Sequence, residues 1–163
     1  MKILIFSDSH GSTLGMKRAL SRNPDVDVLL HLGDGKAEFD ALAVSLPHVR
    51  SYSVCGNCDR WENFGSQGDY ERMITLEGVG LLLTHGHRFG VKDSLERYLA
   101  YAKARGVRCA LFGHTHIPLE RYDPDTGITL FNPGSISRPC GGAPSFGTLE
   151  IRGDSLLFGH GEI

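Results

Sequence analysis

Five short strand-like runs in this chain, four of them apolar, each break off at a glycine-containing turn that carries metal-ligand chemistry. Lys2 to Phe6 runs into Ser7-Asp8-Ser9-His10-Gly11, and Val26 to Leu32 into Gly33-Asp34-Gly35. Val49 to Val54 ends at Gly56-Asn57-Cys58-Asp59, Val79 to Thr84 at His85-Gly86-His87, and Arg108 to Phe112 at Gly113-His114-Thr115-His116. Apolar runs bounded by turn signals read as strands buried on both faces. Residues i and i+2 of an extended chain share a side, so Asp8 and His10 point into one crevice past the first strand. Open α/β sheets bind their ligands in such crevices, beyond the carboxyl ends of the strands. One such end is ordinary, since Asp and Asn favour turns and lone histidines are mostly core or surface residues. Five in order require a fold that gathers five strand ends.

The segments between the runs supply helices. Ser12 to Ser21 is amphipathic, with Ser12 expected as its N-cap, and Lys36 to Leu46 is closed by Pro47. This β-α-β-α-β rhythm implies a parallel or mixed sheet with covering helices. Arg60 to Gly68, with Trp61 and Phe64, reads as a loop near the site. Tyr70 to Leu76 pairs with Val79 to Thr84 around Glu77-Gly78. Asp93 to Ala104 is a helix stopped at Gly106. Two hairpins follow, Leu119–Tyr122 with Ile128–Phe131 and Phe146–Arg152 with Ser155–Phe158, so the second half reads as mostly antiparallel. Both halves are satisfied by two sheets packed face to face with helices outside, an α/β class fold in one domain over residues 1–163.

Composition narrows the function. A formal charge of −2 leaves no electrostatic footprint for nucleic acid. No apolar run nears the roughly 20 residues of a membrane span, and no signal-peptide pattern stands at the start, so a cytoplasmic location is expected. Cys55, Cys58, Cys109 and Cys140 are expected as reduced thiols. The strand ends offer seven side chains: Asp8, His10, Asp34, Asn57, His85, His114 and His116. Carboxylate, imidazole and amide donors without an obligatory thiolate suit Mn²⁺, Fe²⁺, Zn²⁺, Co²⁺ or Ni²⁺, and are too rich in nitrogen for Ca²⁺. Seven donors exceed one tetrahedral site and suit two ions that share a carboxylate.

D-x-H, G-D, G-N-C-D, H-G-H and G-H-T-H in this order, spread from Met1 to about Gly142, resemble the calcineurin-like metallophosphoesterases. Short length and G-N-C-D are similar to the small single-domain phosphodiesterases of the YfcE type. The resemblance implies a four-layer α/β/β/α sandwich of two mixed sheets flanked by helices. It also implies one divalent ion on Asp8, His10, Asp34 and His116, and another on Asp34, Asn57, His85 and His114, with Mn²⁺ the first expectation. The implied activity is hydrolysis of a small phosphodiester by in-line attack of a metal-bridging hydroxide, with Asn57, His85 and Asp34 as catalytic residues. Two other readings are a phosphomonoesterase and a non-catalytic protein-interaction scaffold, as in the eukaryotic retromer subunit of this fold. A homodimer is left open.

Cys58 departs from the G-N-H-[DE] of much of the superfamily. A thiol is a weaker acid for a leaving group than an imidazolium at neutral pH. Cys58 is therefore either a substrate contact or a small side chain packing the loop, and Arg138 is either a solvated surface arginine or a cation that reaches a substrate phosphate. Asp59 reads first as a turn residue, with support of a ligand histidine the alternative. His87 has second-layer or substrate contact open to it, Asn132 and Ser135 are expected to bond backbone, and His31 reads as a core histidine. The spacing Cys55-x-x-Cys58 has no second pair, which disfavours redox chemistry or a zinc clamp.

Overall fold

The computed structural model describes residues 1–59 and 69–163, and the expected loop Arg60 to Gly68 lies outside them. In chain order the elements are β1 (Lys2–Phe6), α1 (Leu14–Arg22), β2 (Val28–His31), α2 (Lys36–Val44), β3 (Arg50–Ser53), β4 (Glu71–Leu76) and β5 (Val79–Thr84). A short 3-10 turn (His87–Phe89) follows, then α3 (Glu96–Ala104), β6 (Cys109–Leu111), β7 (Pro118–Asp123), β8 (Ile128–Pro133), β9 (Ser145–Arg152) and β10 (Ser155–Glu162).

Side-chain alternation sets the layers. Ile3 and Ile5 of β1 face inward with Val28 and Leu30 of β2, against Leu81, Leu83, Leu111 and Phe131 from the second sheet. Their neighbours Leu4, Phe6 and Leu29 face outward onto Met16 and Ala19 of α1 and Phe39 and Leu42 of α2. In the second sheet Leu82, Ala110 and Leu130 face outward onto Tyr98 and Ala102 of α3. Each central strand is thus buried on both faces, which is why its sequence is apolar throughout rather than alternating. The result is the α/β/β/α sandwich. Burying a Leu or Ile side chain contributes about 1.5–3 kcal/mol, and three such layers of contact hold the sandwich together. The Tyr98 hydroxyl, fully buried, donates to Leu111 O at 2.8 Å and fixes α3 to β6.

The sheets run β10-β9-β1-β2-β3 and β4-β5-β6-β8-β7. Parallel strands β1, β2 and β3 sit in the first, and parallel β5, β6 and β8 in the second. The second half is mostly antiparallel, as expected: β4 with β5, β7 with β8, β9 with β10 and β9 with β1 pair antiparallel, Ile3 standing opposite Leu149, while α3 carries the chain over to lay β6 parallel to β5 and β8. Helix starts move. Thr13, not Ser12, stands at the N-cap of α1, and its side chain makes no cap bond; the Ser12 N–H is already used by Ser9 O in a turn. Likewise Asp93 and Ser94 give their N–H groups to Gly90 O, so α3 begins only at Glu96. Among the described residues, no helix is long and apolar enough to cross a membrane.

Candidate metal centre

All seven donors lie past the carboxyl ends of parallel strands, three ends from the first sheet and two from the second. The loops that carry them are stitched together by backbone bonds. Asp8 N donates to Gly33 O at 3.0 Å, His10 N to Asp34 O at 2.9 Å and Gly113 N to His85 O at 3.2 Å. Asp8, His10, Asp34, His114 and His116 all hold φ between +44° and +67°. Residues with a Cβ avoid that region, and clusters of such strained residues mark functional sites. Among the described residues the only other case is Glu77, in the β4–β5 turn. Gly56 must lack a side chain, since a Cβ there would fall 2.1 Å from Asp34 Oδ1.

Asp8 is fully buried and its two oxygens differ. Oδ2 accepts from Ser7 Oγ at 2.6 Å and from His114 N at 3.1 Å. Among the described residues Oδ1 has no assigned hydrogen-bond donor, yet His116, His10 and His85 Nε2 stand 3.1, 3.9 and 3.9 Å from it. A buried carboxylate oxygen left open towards three imidazole nitrogens fits a cation between them. His85 Nδ1 donates to Leu32 O at 2.8 Å, and His116 Nδ1 donates to Arg138 O. Each bond fixes the tautomer that turns an Nε2 lone pair inward, the orientation of a metal ligand. His10 Nε2 and His116 Nε2 lie 3.3 Å apart. Without a shared proton or cation those two lone pairs would repel.

Asp34 joins the two sides. Its Oδ2 is 3.4 Å from His85 Nε2, which also sits 3.1 Å from Asn57 Oδ1; its Oδ1 accepts from Cys58 N at 2.6 Å. Three groups of converging ligand atoms result: Asp8, His10 and His116; Asp8, Asp34 and His85; and His10, Asp34 and Cys58. His114 shares none of these groups. Its ring stands edge-on to that of His85, 4.9 Å between centroids.

The electrostatics follow from burial set against opposite charge. Burial opposes ionisation of Asp8, but the approach of His116 and the charge of His85 outweigh it and hold its carboxyl below the usual value. Burial likewise opposes Asp34, and His85 overcomes it, so the Asp34 carboxyl is strongly lowered. Burial disfavours the His85 cation, yet Asp34 and Asp8 raise its pKa; proximity to Asp8 raises His116 as well. The centre is built to attract positive charge. His114 behaves oppositely, lowered to about 4 by burial and by the charges of His85 and Lys92. Cys58 is pushed up to about 11 by burial and the Asp34 carboxylate, so its thiol stays protonated at neutral pH. Cys58 and Cys55 are both free thiols.

Cys58 and Arg138 line a cleft of about 400 Å³ together with His10 and Asp34. Asp59 does more than form a turn. Its Oδ2 accepts from Asp34 N (2.8 Å) and Gly56 N (2.7 Å), and its Oδ1 from Gly35 N and Lys36 N (both 2.9 Å). This carboxylate caps α2 from another loop and clamps the Asp34 and Asn57 turns to each other. His87 lies beside the centre, its ring 5.4 Å from that of His85 and its Nδ1 buried without a hydrogen-bond partner among the described residues. Asn132 and Ser135 bond backbone as expected: Asn132 Nδ2 donates to Gly113 O (2.9 Å) and Ser135 Oγ to Asp8 O (2.8 Å). The sequence reading missed three supports. Ser137 Oγ reaches Ser9 O at 2.9 Å. Ser9 Oγ lies 3.0 Å from His31 Nε2 and donates to Glu38 Oε1 at 2.9 Å. Serines flanking Asp8 were the one local signal for this network. His31 is thus a buried core histidine that also steadies the Asp8–His10 loop.

The model of the calcineurin-like phosphoesterase superfamily domain matches residues 1–154. The chain belongs to that superfamily. Phosphodiesterase YfcE of Escherichia coli K12 is 33% identical over 172 aligned positions, covering 92% of this chain and 88% of the relative. A predicted phosphoesterase from Streptococcus pneumoniae TIGR4 superposes with a TM-score of 0.81 at 25% identity, covering 99% of this chain and 88% of its own. Wild-type Vps29 of Entamoeba histolytica, solved with zinc, superposes at 0.76 and 21% identity over 99% of both chains, a likeness of fold alone. A calcineurin-like phosphoesterase works with divalent metal ions, and the converging Asp8, Asp34, His10, His85 and His116 give this one ligand groups that fit them.

Proposed function

We propose that this metal-dependent phosphoesterase is a dinuclear phosphodiesterase acting on small phosphate diesters. The supporting observation is the overlap of the ligand groups: Asp8 and Asp34 each belong to two of them, as a shared carboxylate between two ions requires. Asp8, His10, Asp34 and His116 would hold one ion, and Asp34, Asn57, His85 and His114 the other, Mn²⁺ being the first candidate and Ni²⁺, Co²⁺, Zn²⁺ and Fe²⁺ the others. Bound there, two divalent ions supply Lewis acidity that neutralises phosphoryl charge and makes water acidic enough to attack phosphorus near neutral pH.

The chain's own residues do the positioning. Leu32 O and Arg138 O keep the His85 and His116 rings turned inward, so no free energy of reorientation is needed on loading. Arg138, exposed at the rim of the cleft, offers a planar fork to a phosphate oxygen. Cys58, protonated beside Asp34, gives the phosphate a neutral neighbour and a poor proton donor, which favours diesters with good leaving groups.

The test is hydrolysis of bis-p-nitrophenyl phosphate against p-nitrophenyl phosphate by metal-stripped protein resupplied with each ion. Faster metal-dependent turnover of the diester is expected. Preference for the monoester would make the protein a phosphomonoesterase. Two ions bound per chain with no turnover of either ester would favour the protein-interaction scaffold.

A further inference from the structure

A second, larger cleft of about 640 Å³ borders the His114–His116 loop and shares no lining residue with the first. Part of its wall comes from the loop that carries two of the ligands. Thr115, between His114 and His116, lies in it, and so does Cys140, whose N–H donates to His116 O at 3.2 Å. Val91 and Phe112 form its floor. Both pack on the backbone between His85 and His87: a Cβ on Gly86 would fall 2.7 Å from Val91 Cγ2 and 3.5 Å from Phe112 Cβ. Phe112 is itself held by the edge of Tyr98, 5.8 Å between centroids. A rigid apolar floor therefore begins where the ligand loops end.

We infer that this cleft is the subsite for one ester substituent of the substrate, and that the substituent is a neutral aromatic ring. The inference rests on the phosphodiesterase reading for its phosphate and on the cleft for its ring. Volume sets the class, because ligand pockets run from about 300 to 1,000 Å³ and this one takes a ring system rather than a methyl group. Charge sets the neutrality. Lys92 and Arg121 on the rim are balanced by Asp93 and Glu96, which gives a second phosphate or a carboxylate no net attraction. The apolar floor of Val91 and Phe112 offers a flat ring broad van der Waals contact, which favours an aromatic substituent. Ile117, half exposed on the far wall, gains cover when a ring lies against it.

The probes are phenylphosphonate and methylphosphonate, which share a phosphoryl head and differ in the ring. Their affinities for the Mn²⁺-loaded full chain are measured by calorimetry, which needs no turnover. Wild-type protein is expected to bind phenylphosphonate about tenfold more tightly, the return for partly burying one ring. Ser94→Trp, at an exposed position on the cleft wall, fills the cleft and brings that ratio close to one while leaving methylphosphonate affinity unchanged. Ile117→Trp blocks from the opposite wall and serves if the first variant does not fold. Equal affinities in wild type, or a ratio that survives both blocks, overturns the subsite. A ring preference without any hydrolysis of bis-p-nitrophenyl phosphate overturns the phosphodiesterase reading and leaves the subsite standing.

Discussion

Asp59→Asn tests whether one carboxylate holds the centre's geometry. In wild type its two oxygens accept four backbone N–H groups, two each. An amide of the same shape keeps one oxygen and presents an NH₂ to the other pair of donors. Two charge-assisted bonds are lost at roughly 1.5–3 kcal/mol each, and the surviving pair weakens to neutral bonds. Water reaches the partly exposed clamp and recovers some of this, which leaves a cost of about 3 kcal/mol. In urea, with a slope of about 2 kcal/mol per molar, the midpoint falls by roughly 1.5 M. Metal affinity should fall as well, by about 10- to 100-fold, because Asp34 N is one of the four donors and Asp34 keeps its φ of +57° only while its loop is clamped. Urea titration monitored by tryptophan fluorescence reads the first effect and calorimetry with Mn²⁺ the second. Asp59→Ala, which empties the pocket and lets water in, should be no worse than Asp59→Asn. An Asn variant within about 0.5 kcal/mol of wild type, or an Ala variant far worse than the Asn one, would refute the clamp.

Asp34→Asn and His114→Ala should each reduce diesterase turnover by more than about 100-fold while the far-ultraviolet circular dichroism stays unchanged; near-normal rates in either would remove that residue from the dinuclear assignment. Burial holds His31 neutral and lowers its pKa from 6.5 to about 4. The unfolded chain therefore takes up a proton that the folded one refuses. Stability from this group is complete above pH 6.5 and falls by up to roughly 3 kcal/mol as pH drops to 4, and His31→Gln should flatten that part of a urea-stability profile. Saturating Mn²⁺ at about 100 times its dissociation constant should stabilise the metal-stripped protein by about 2.7 kcal/mol, read as a rise in thermal midpoint reversed by chelator. Cys58→Ser should keep bis-p-nitrophenyl phosphate turnover within about threefold, since a thiol held near pKa 11 supplies little acid catalysis; a collapse in rate would make Cys58 a participant.

Much of this architecture was legible because the chain repeats one local message. The runs at Ile3, Leu29, Leu81 and Ala110 are apolar without alternation, which only strands covered on both faces need, and each ends at a turn with a donor. That pattern marked the crevice and six of its seven donors; the seventh, Asn57, follows the polar edge strand β3. What stayed hidden depends on partners distant in sequence. Nothing near Ser145 says that β9 will pair with β1, and nothing in the hairpin signals after Gly113 reveals that β6 and β8 lie parallel. Asp59 follows Asn57 and Cys58 as a turn residue would, and its four donors emerge only when the β2 and β3 loops meet. Helix starts were misplaced for a similar reason. Ser12 and Asp93 have suitable side chains, but the first helical bonds run from Lys17 N to Thr13 O and from Leu99 N to Leu95 O, so each helix starts later.

The pairing of β1 with β9 also bears on how the chain is made. A ribosome releases Lys2–Phe6 well before residues 145–152, and the earlier strand is central in its sheet, flanked by β2 on one side and β9 on the other. One edge of it waits until residues 145–152 have emerged, with Ile3 and Ile5 lacking Leu149 and Ile151 meanwhile. Long-range strand pairing of this sort slows folding and leaves a sticky edge on the nascent chain. The donors Asp8 and His10 stand at the tip of this same strand. A finished binding site at Asp8 and His10 thereby waits on a strand made much later: the loop's supporting sheet is complete only once β9 has joined β1.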